Sequence, residues 1–338
     1  MDALARWTLF REAAGAVPNT LAIGYASSAW LASFALMGAD PVATNVIGVL
    51  LCAHAMVIAA YLIHEAAHYT LFASPALNRA IGEWVNFIAG SCYASFERIR
   101  HMHLRHHRDR ADVTCFDFKG LMHRRPGLRR AIEVLEWAYI PATEILMHLQ
   151  VVWRPFFVAT QRPHRPRATA MLALRLGLLC ALAWWSPKAA VLYFLAYGLL
   201  LHVTNFFDAF HHTFEQYFTE ADVAVPLDGR DRDYEQAHTY STLVSSRWPV
   251  LNRLTLNFGY HNAHHERAAV PWYRLPSLHH ELYGERVRAV LPLSELLVTW
   301  HRNRVARVDS ADYGGIGEGP GRADRFVGAH GVSFMTVV

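Results

Sequence analysis

From Asn19 to Ile63 the chain carries a single formal charge, Asp40, and that acid sits in the turn sequence Gly38-Ala-Asp-Pro41. On either side lie uncharged runs, about 19–37 and 43–63. A helix rises 1.5 Å per residue, so roughly 20 apolar residues cross the ~30 Å hydrocarbon core of a bilayer. Two such runs joined by a tight turn read as a helical hairpin. The pattern recurs at about 168–185 and 189–207, joined by Ser186-Pro-Lys188, with Arg175 inside the first run. That arginine must pair or snorkel. The expected fold is an all-α integral membrane protein. Its four transmembrane helices form two hairpins, and the stretches 64–167 and 208–308 make a helical cap, all within one domain of residues 1–308.

Composition supports this division. Hydrophobic residues make up 53% of the chain and charged ones 18%, yet the charges crowd into the stretches between the runs. Of 32 basic residues only Lys119 and Lys188 are lysines, and arginines gather between Arg98 and Arg167. The positive-inside rule places that region, and with it both termini, in the cytoplasm. The arginine skew with abundant alanine suggests a GC-rich genome and a bacterial inner membrane. Anionic lipid headgroups are the natural partner for such charge, and no nucleic acid is implied. Cys52, Cys92, Cys115 and Cys180 lack paired spacing and read as free thiols.

Shorter segments are also legible. Residues 1–17 read as an interfacial helix rather than a cleavable signal, since the first apolar run is too long for one. Residues 81–95, apolar around Glu83, read as an interfacial or re-entrant helix, and 131–158 as an amphipathic helix in the headgroup plane. The glycine-rich tail, 309–338, is expected to be disordered.

Histidine carries the chemistry. Eleven of the 21 histidines fall in four places: His64 and His68; His101, His103, His106 and His107; His211 and His212; His261, His264 and His265. On a helix, residues three and four apart share a face, so each triplet aims its imidazoles at one point. Eight from the three main clusters and one from the 211–212 pair exceed what one ion can hold. Nine nitrogens fit two metals with positions left open. Imidazole suits zinc, copper, iron and nickel, and no cysteine joins the clusters. Two redox metals beside a membrane point to activation of O₂, with iron the economical choice.

The chain resembles the membrane fatty acid desaturase/hydroxylase superfamily. That family's three histidine boxes read here as His64-Glu-Ala-Ala-His68, His103-Leu-Arg-His-His107 and His261-Asn-Ala-His-His265. The resemblance covers roughly residues 45–280 and implies four membrane helices under a cytosolic cap, two iron ions and O₂ as co-substrate. It implies desaturation of a fatty acyl chain, fed by an external ferredoxin or cytochrome b5-like donor. Hydroxylation or ketolation of an acyl chain, alkane or carotenoid is the alternative on the same site. Family members also use a histidine after the fourth span, with a polar residue four positions earlier that holds a water. Asp208 and His212 match that spacing, with Asp where the family has Asn, and His211 is the other candidate. His101, Asn257, Asp109 and Glu65 are expected behind the ligands, orienting imidazoles or handling protons.

Two other readings use fewer of these residues. His64-Glu65-Ala-Ala-His68 alone matches a zinc protease motif, which leaves two whole clusters unexplained. A bis-histidine haem carrier would need His54 and His202, which read more simply as packing residues.

Overall fold

In this computed structural model the described residues are 9–114, 116–214, 217–218, 229–284, 290–310, 312–319, 321–333 and 335–336. Their α-helices run in order: α1 (Ala16–Gly38), α2 (Val42–Ala67), α3 (Pro75–Ala89), α4 (Phe96–Asp109), α5 (Phe118–Arg124), α6 (Pro126–Trp137), α7 (Ala142–Phe157), α8 (Arg165–Trp185), α9 (Pro187–His211), α10 (Arg232–Ala237), α11 (His261–Glu266), α12 (Leu275–Tyr283) and α13 (Leu293–Asn303). The only regular strands among the described residues are two-residue pieces, Asp112–Val113 beside Tyr217–Phe218, paired in parallel. The fold is thus all-α, and α1, α2, α8 and α9 are long and apolar enough to cross a membrane. The chain divides into two compact units, one of Met1–Arg100 with Val152–Leu200, the other of His101–Val151 with Leu201–Val337.

The first unit contains both hairpin turns. A helix ends on carbonyls with no partner inside it, and burying them unpaired in lipid is costly. At the end of α1 the side chain of Asn45 answers this, with Nδ2 at 3.0, 3.1 and 2.7 Å from the carbonyl oxygens of Leu36, Met37 and Ala39. Close approach follows, since a Cβ at Gly48 would lie 2.9 Å from the Met37 backbone nitrogen. Helix α2 is central: 72% of its apolar stretch is buried, against 6% for α8, whose leucines and Trp184 face outward as lipid-exposed side chains would. Arg175 is paired within α8's surroundings. Its guanidinium donates to the Phe87 carbonyl, lies 3.2 Å from the Tyr193 hydroxyl and sits over the Phe87 ring at 4.4 Å.

Helix α3 lies six residues earlier than the 81–95 helix read from hydropathy. Pro75 occupies its first turn, and Gly90, at φ +89°, ends it in the left-handed conformation. Of the interfacial helix expected over 1–17, residues 1–8 lie outside the described set, and in the rest Ala13–Gly15 forms one 3₁₀ turn before α1 starts at Ala16. Cys52, Cys92 and Cys180 are free thiols, and Cys115 lies outside the described residues.

In the second unit the single helix expected over 131–158 is two. Tyr139, at φ +59°, and Pro141 break it, and the Glu136 carboxylate accepts the Thr143 backbone N–H at 2.9 Å, capping α7. Propensity along both halves masked a break that one proline enforces.

The tail differs most from expectation. The described residues beyond Asp309 pack on the second unit rather than hanging free. Phe326 is fully buried with its ring 5.2 Å from that of Phe210, and Ala329 donates its N–H to the Ala209 carbonyl at 2.8 Å. Gly328, at φ +88°, allows this, because a Cβ there would lie 2.8 Å from that same Ala209 oxygen. The glycines that resembled disorder are what lets the backbone lie flat on α9.

Candidate metal centre

Three stretches of the second unit bring imidazoles together. Helix α4 presents His103, His106 and His107, α11 presents His261, His264 and His265, and His212 follows the last turn of α9. Two sets form. In the first, His106, His212, His261 and His265 each offer a nitrogen within 4.8 Å of the others. His212 Nε2 lies 3.1 Å from His106 Nε2 and 2.8 Å from His261 Nε2. In the second, His107 Nε2 lies 3.2 Å from His103 Nε2 and 3.1 Å from His264 Nε2. Metal–imidazole bonds of about 2.0–2.1 Å place ligand nitrogens at such separations.

The donor chemistry fits a cation. Burial first, and then the charge of neighbouring imidazoles, holds His212 and His261 well below the usual histidine range. They are neutral nitrogen donors at physiological pH, the form that binds a metal. In three of the four rings of the first set the far nitrogen is tied down. His106 Nδ1 donates to the Ala111 carbonyl at 2.8 Å, which turns Nε2 toward His212. His212 Nδ1 meets Thr239 Oγ1 at 3.2 Å. His265 Nδ1 donates to Glu235 Oε1 at 2.8 Å, and Arg110 Nε donates to the other oxygen of that carboxylate at 3.0 Å. Such partners fix ring orientation and raise ligand basicity.

Of the adjacent pair, His212 joins the four-imidazole set. His211 instead stacks on His261, with ring centroids 3.9 Å apart, and contacts Thr242 Oγ1 through Nε2 at 2.8 Å. In the first unit, His64 and His68 lie with ring centroids 4.9 Å apart at the end of α2. Glu65 sits beside them, its Oε1 3.4 Å from His64 Nδ1 and its Oε2 accepting from the Thr70 hydroxyl at 2.6 Å. Asp208 lines a cavity of about 50 Å³ together with His106, His212 and His261.

Three expected supporting residues are placed otherwise. His101 is exposed, because two residues of helix separate it from His103 by more than half a turn. Asn257 donates to the Trp272 carbonyl at 3.0 Å and holds the left-handed turn before α11, at φ +56°. Asp109 is clamped by Arg105 at 2.9 Å and Arg108 at 2.6 Å. Burial alone would raise its pKa, yet these guanidiniums hold it below the usual range. Glu235, by contrast, was not anticipated. It lies on a short helix far from every histidine box, with only the Asp231 cap before it as a local signal.

Comparison with known proteins agrees with this geometry. A sphingolipid delta(4)-desaturase from Candida albicans is 25% identical over 223 residues, covering 64% of this chain and 56% of that protein. The match therefore spans little more than half of that relative. The sequence model of the fatty acid desaturase family matches residues 41–296, well over half of the chain, and the protein belongs to that family.

Proposed function

We propose that this protein is a membrane-bound, O₂-dependent di-iron desaturase that removes two hydrogens from adjacent methylenes of a lipid's long chain. The observation that carries the reading is the pair of convergent imidazole sets, His106/His212/His261/His265 and His103/His107/His264. His64 and His68 are assigned to metal binding with them on the strength of their box. His211 is left out of the ligand set because its Nε2 is engaged by Thr242.

Iron held by neutral imidazoles supplies the means to activate O₂ against unactivated C–H bonds. The chain's own residues do the rest. Ala111, Thr239 and the Glu235–Arg110 pair hold the rings in place. Met102, Phe258 and Val332 line the cavity beside them and limit water. The four apolar helices seat the protein in a bilayer, and the arginine bias supports cytoplasmic termini in a bacterial inner membrane. Electrons come from a separate ferredoxin or cytochrome b5-like protein.

The Candida relative's name widens the candidate substrates from fatty acyl chains to sphingoid chains. Expression in a host of defined lipids, with an added donor and mass spectrometry of fatty acids and sphingoid bases, tests this. A loss of two hydrogens in either class is expected. Gain of one oxygen instead would assign hydroxylation, and one zinc with no iron in the purified protein would overturn the oxygenase reading.

A further inference from the structure

One short helix of the second unit has its polar and apolar sides exchanged. Pro249–Thr255 form a 3₁₀ helix, in which side chains three apart eclipse one another and make three rows. Asn252 and Thr255 share one row and are only 1% and 5% exposed. Leu251 with Leu254, and Val250 with Arg253, fill the other two rows. Val250, Leu251, Leu254 and the adjacent Trp248 are 41–61% exposed. Water selects the opposite arrangement, with apolar side chains inward and polar ones outward. Such a cluster of exposed bulky apolar groups marks a contact surface.

The inward row is spent on holding the loop in shape. Asn252 Oδ1 accepts the Ser245 N–H at 3.2 Å, and its Nδ2 donates to the Ser245 carbonyl at 2.8 Å and the Tyr260 hydroxyl at 3.2 Å. The Trp248 N–H donates to Ser245 Oγ at 2.9 Å, and Leu256, at φ +46°, ends the helix. The outward rows are therefore presented ready-made.

The base of this loop stands at the end of a span. The Thr242 N–H donates to the Gly259 carbonyl at 2.9 Å, which joins the loop's two ends, and the Tyr240 N–H donates to the His211 carbonyl at 2.8 Å. The Phe258 ring lies 5.0 Å from that of His211. His211 is the last residue of α9, whose 25 residues rise about 37 Å against a ~30 Å hydrocarbon core and about 40–45 Å for a whole bilayer. A spanning helix of that length ends among the headgroups. Charge points the same way. Arg247 and Arg253 are exposed, no acid occurs between Glu235 and Glu266, and among the described residues neither guanidinium has a carboxylate partner. Arg247 lies over the Trp248 ring at 5.4 Å. Tryptophan and arginine beside aliphatic side chains are the composition of a bilayer interface, the arginines suiting anionic headgroups.

We propose that residues 245–256 form a further bilayer contact outside the four spans. Trp248, Val250, Leu251 and Leu254 enter the leaflet in which α9 ends, and Arg247 and Arg253 bind anionic headgroups there. Because the segment runs through Asn257 into α11, the lipid surface also bears on the helix that carries His261, His264 and His265. The contact is independent of which reaction the metal centre performs.

The test places a nitroxide at Val250→Cys or, separately, at Leu254→Cys in full-length protein, two positions being used in case one variant misfolds. Vesicles of phosphatidylcholine, with or without phosphatidylglycerol, receive each protein, and wild type treated with the same label gives the background from native cysteines. Both nitroxides should lose collisions with a water-soluble nickel chelate and keep those with O₂, as a label in hydrocarbon does. Phosphatidylglycerol should drive them deeper, and Arg247→Gln/Arg253→Gln should abolish that response. Labels open to the chelate in both kinds of vesicle would overturn the proposal. Protection accompanied by spin–spin broadening would overturn it in favour of a second copy of this chain, and protection that requires added electron-donor protein in favour of that partner. An undiminished response to phosphatidylglycerol in the arginine variant would overturn the headgroup role.

Discussion

The two imidazole sets of the second unit are built differently. The set of His106, His212, His261 and His265 draws on α4, the end of α9 and α11, and is complete within that unit. The set of His103, His107 and His264 draws on α4 and α11 alone. Helix spacing explains the split: i and i+4 on α4 face one point, and the i+3 residue between them faces another. One box thus contributes to both imidazole sets. The difference teaches that the four-imidazole cluster depends on how α9 ends, whereas the three-imidazole cluster rests on α4 and α11.

Experiments can break that comparison, beginning with the largest effect. Replacing His212 by Ala should abolish activity and remove the metal of the four-imidazole set, read as metal per chain, with helical circular dichroism retained. The double variant His64→Ala/His68→Ala should also abolish activity but keep the metal of the His106 set. Loss of both metals would show that the sets are not independent. Glu235→Gln keeps the shape but weakens the partner of His265, so metal affinity should fall roughly ten- to a hundredfold in a chelator competition.

Acid should act through the same rings. His212 and His261 are held neutral in the folded protein, below the ordinary value of 6.5, while the unfolded chain takes up protons there. Their contribution to stability is present in full above pH 6.5 and lost as pH falls through it. Thermal unfolding of metal-free protein on either side of that pH should show the decline. The smallest effect on metal content belongs to His211→Ala, which removes a buried ring stacked on His261 and its contact with Thr242; stability should fall by roughly 2–5 kcal/mol with metal content unchanged. If His211→Ala loses metal and His212→Ala does not, the assignment of the adjacent pair reverses.

Much of this molecule is legible in its residues. Uncharged runs of spanning length mark the four long helices, because a bilayer admits little else. Each expected span lies inside its helix. The boxes bring their imidazoles together because three- and four-residue spacing keeps them on one side of a helix, although the members of one box go to two different sets. What the spacing does not carry is the support behind the rings. Glu235 reaches His265 across 30 positions, and Ser333 reaches Asp208 across 125; no local pattern records such encounters. Asp109 shows the converse, a carboxylate near a box in sequence that two arginines claim first.

The packing of the last residues has a practical corollary. Val332 and Ser333 form part of the wall of the cavity beside His106 and His212. A deletion beginning at Asp309 would strip Val332 and Ser333 from that wall and leave the imidazoles beside it open to bulk water.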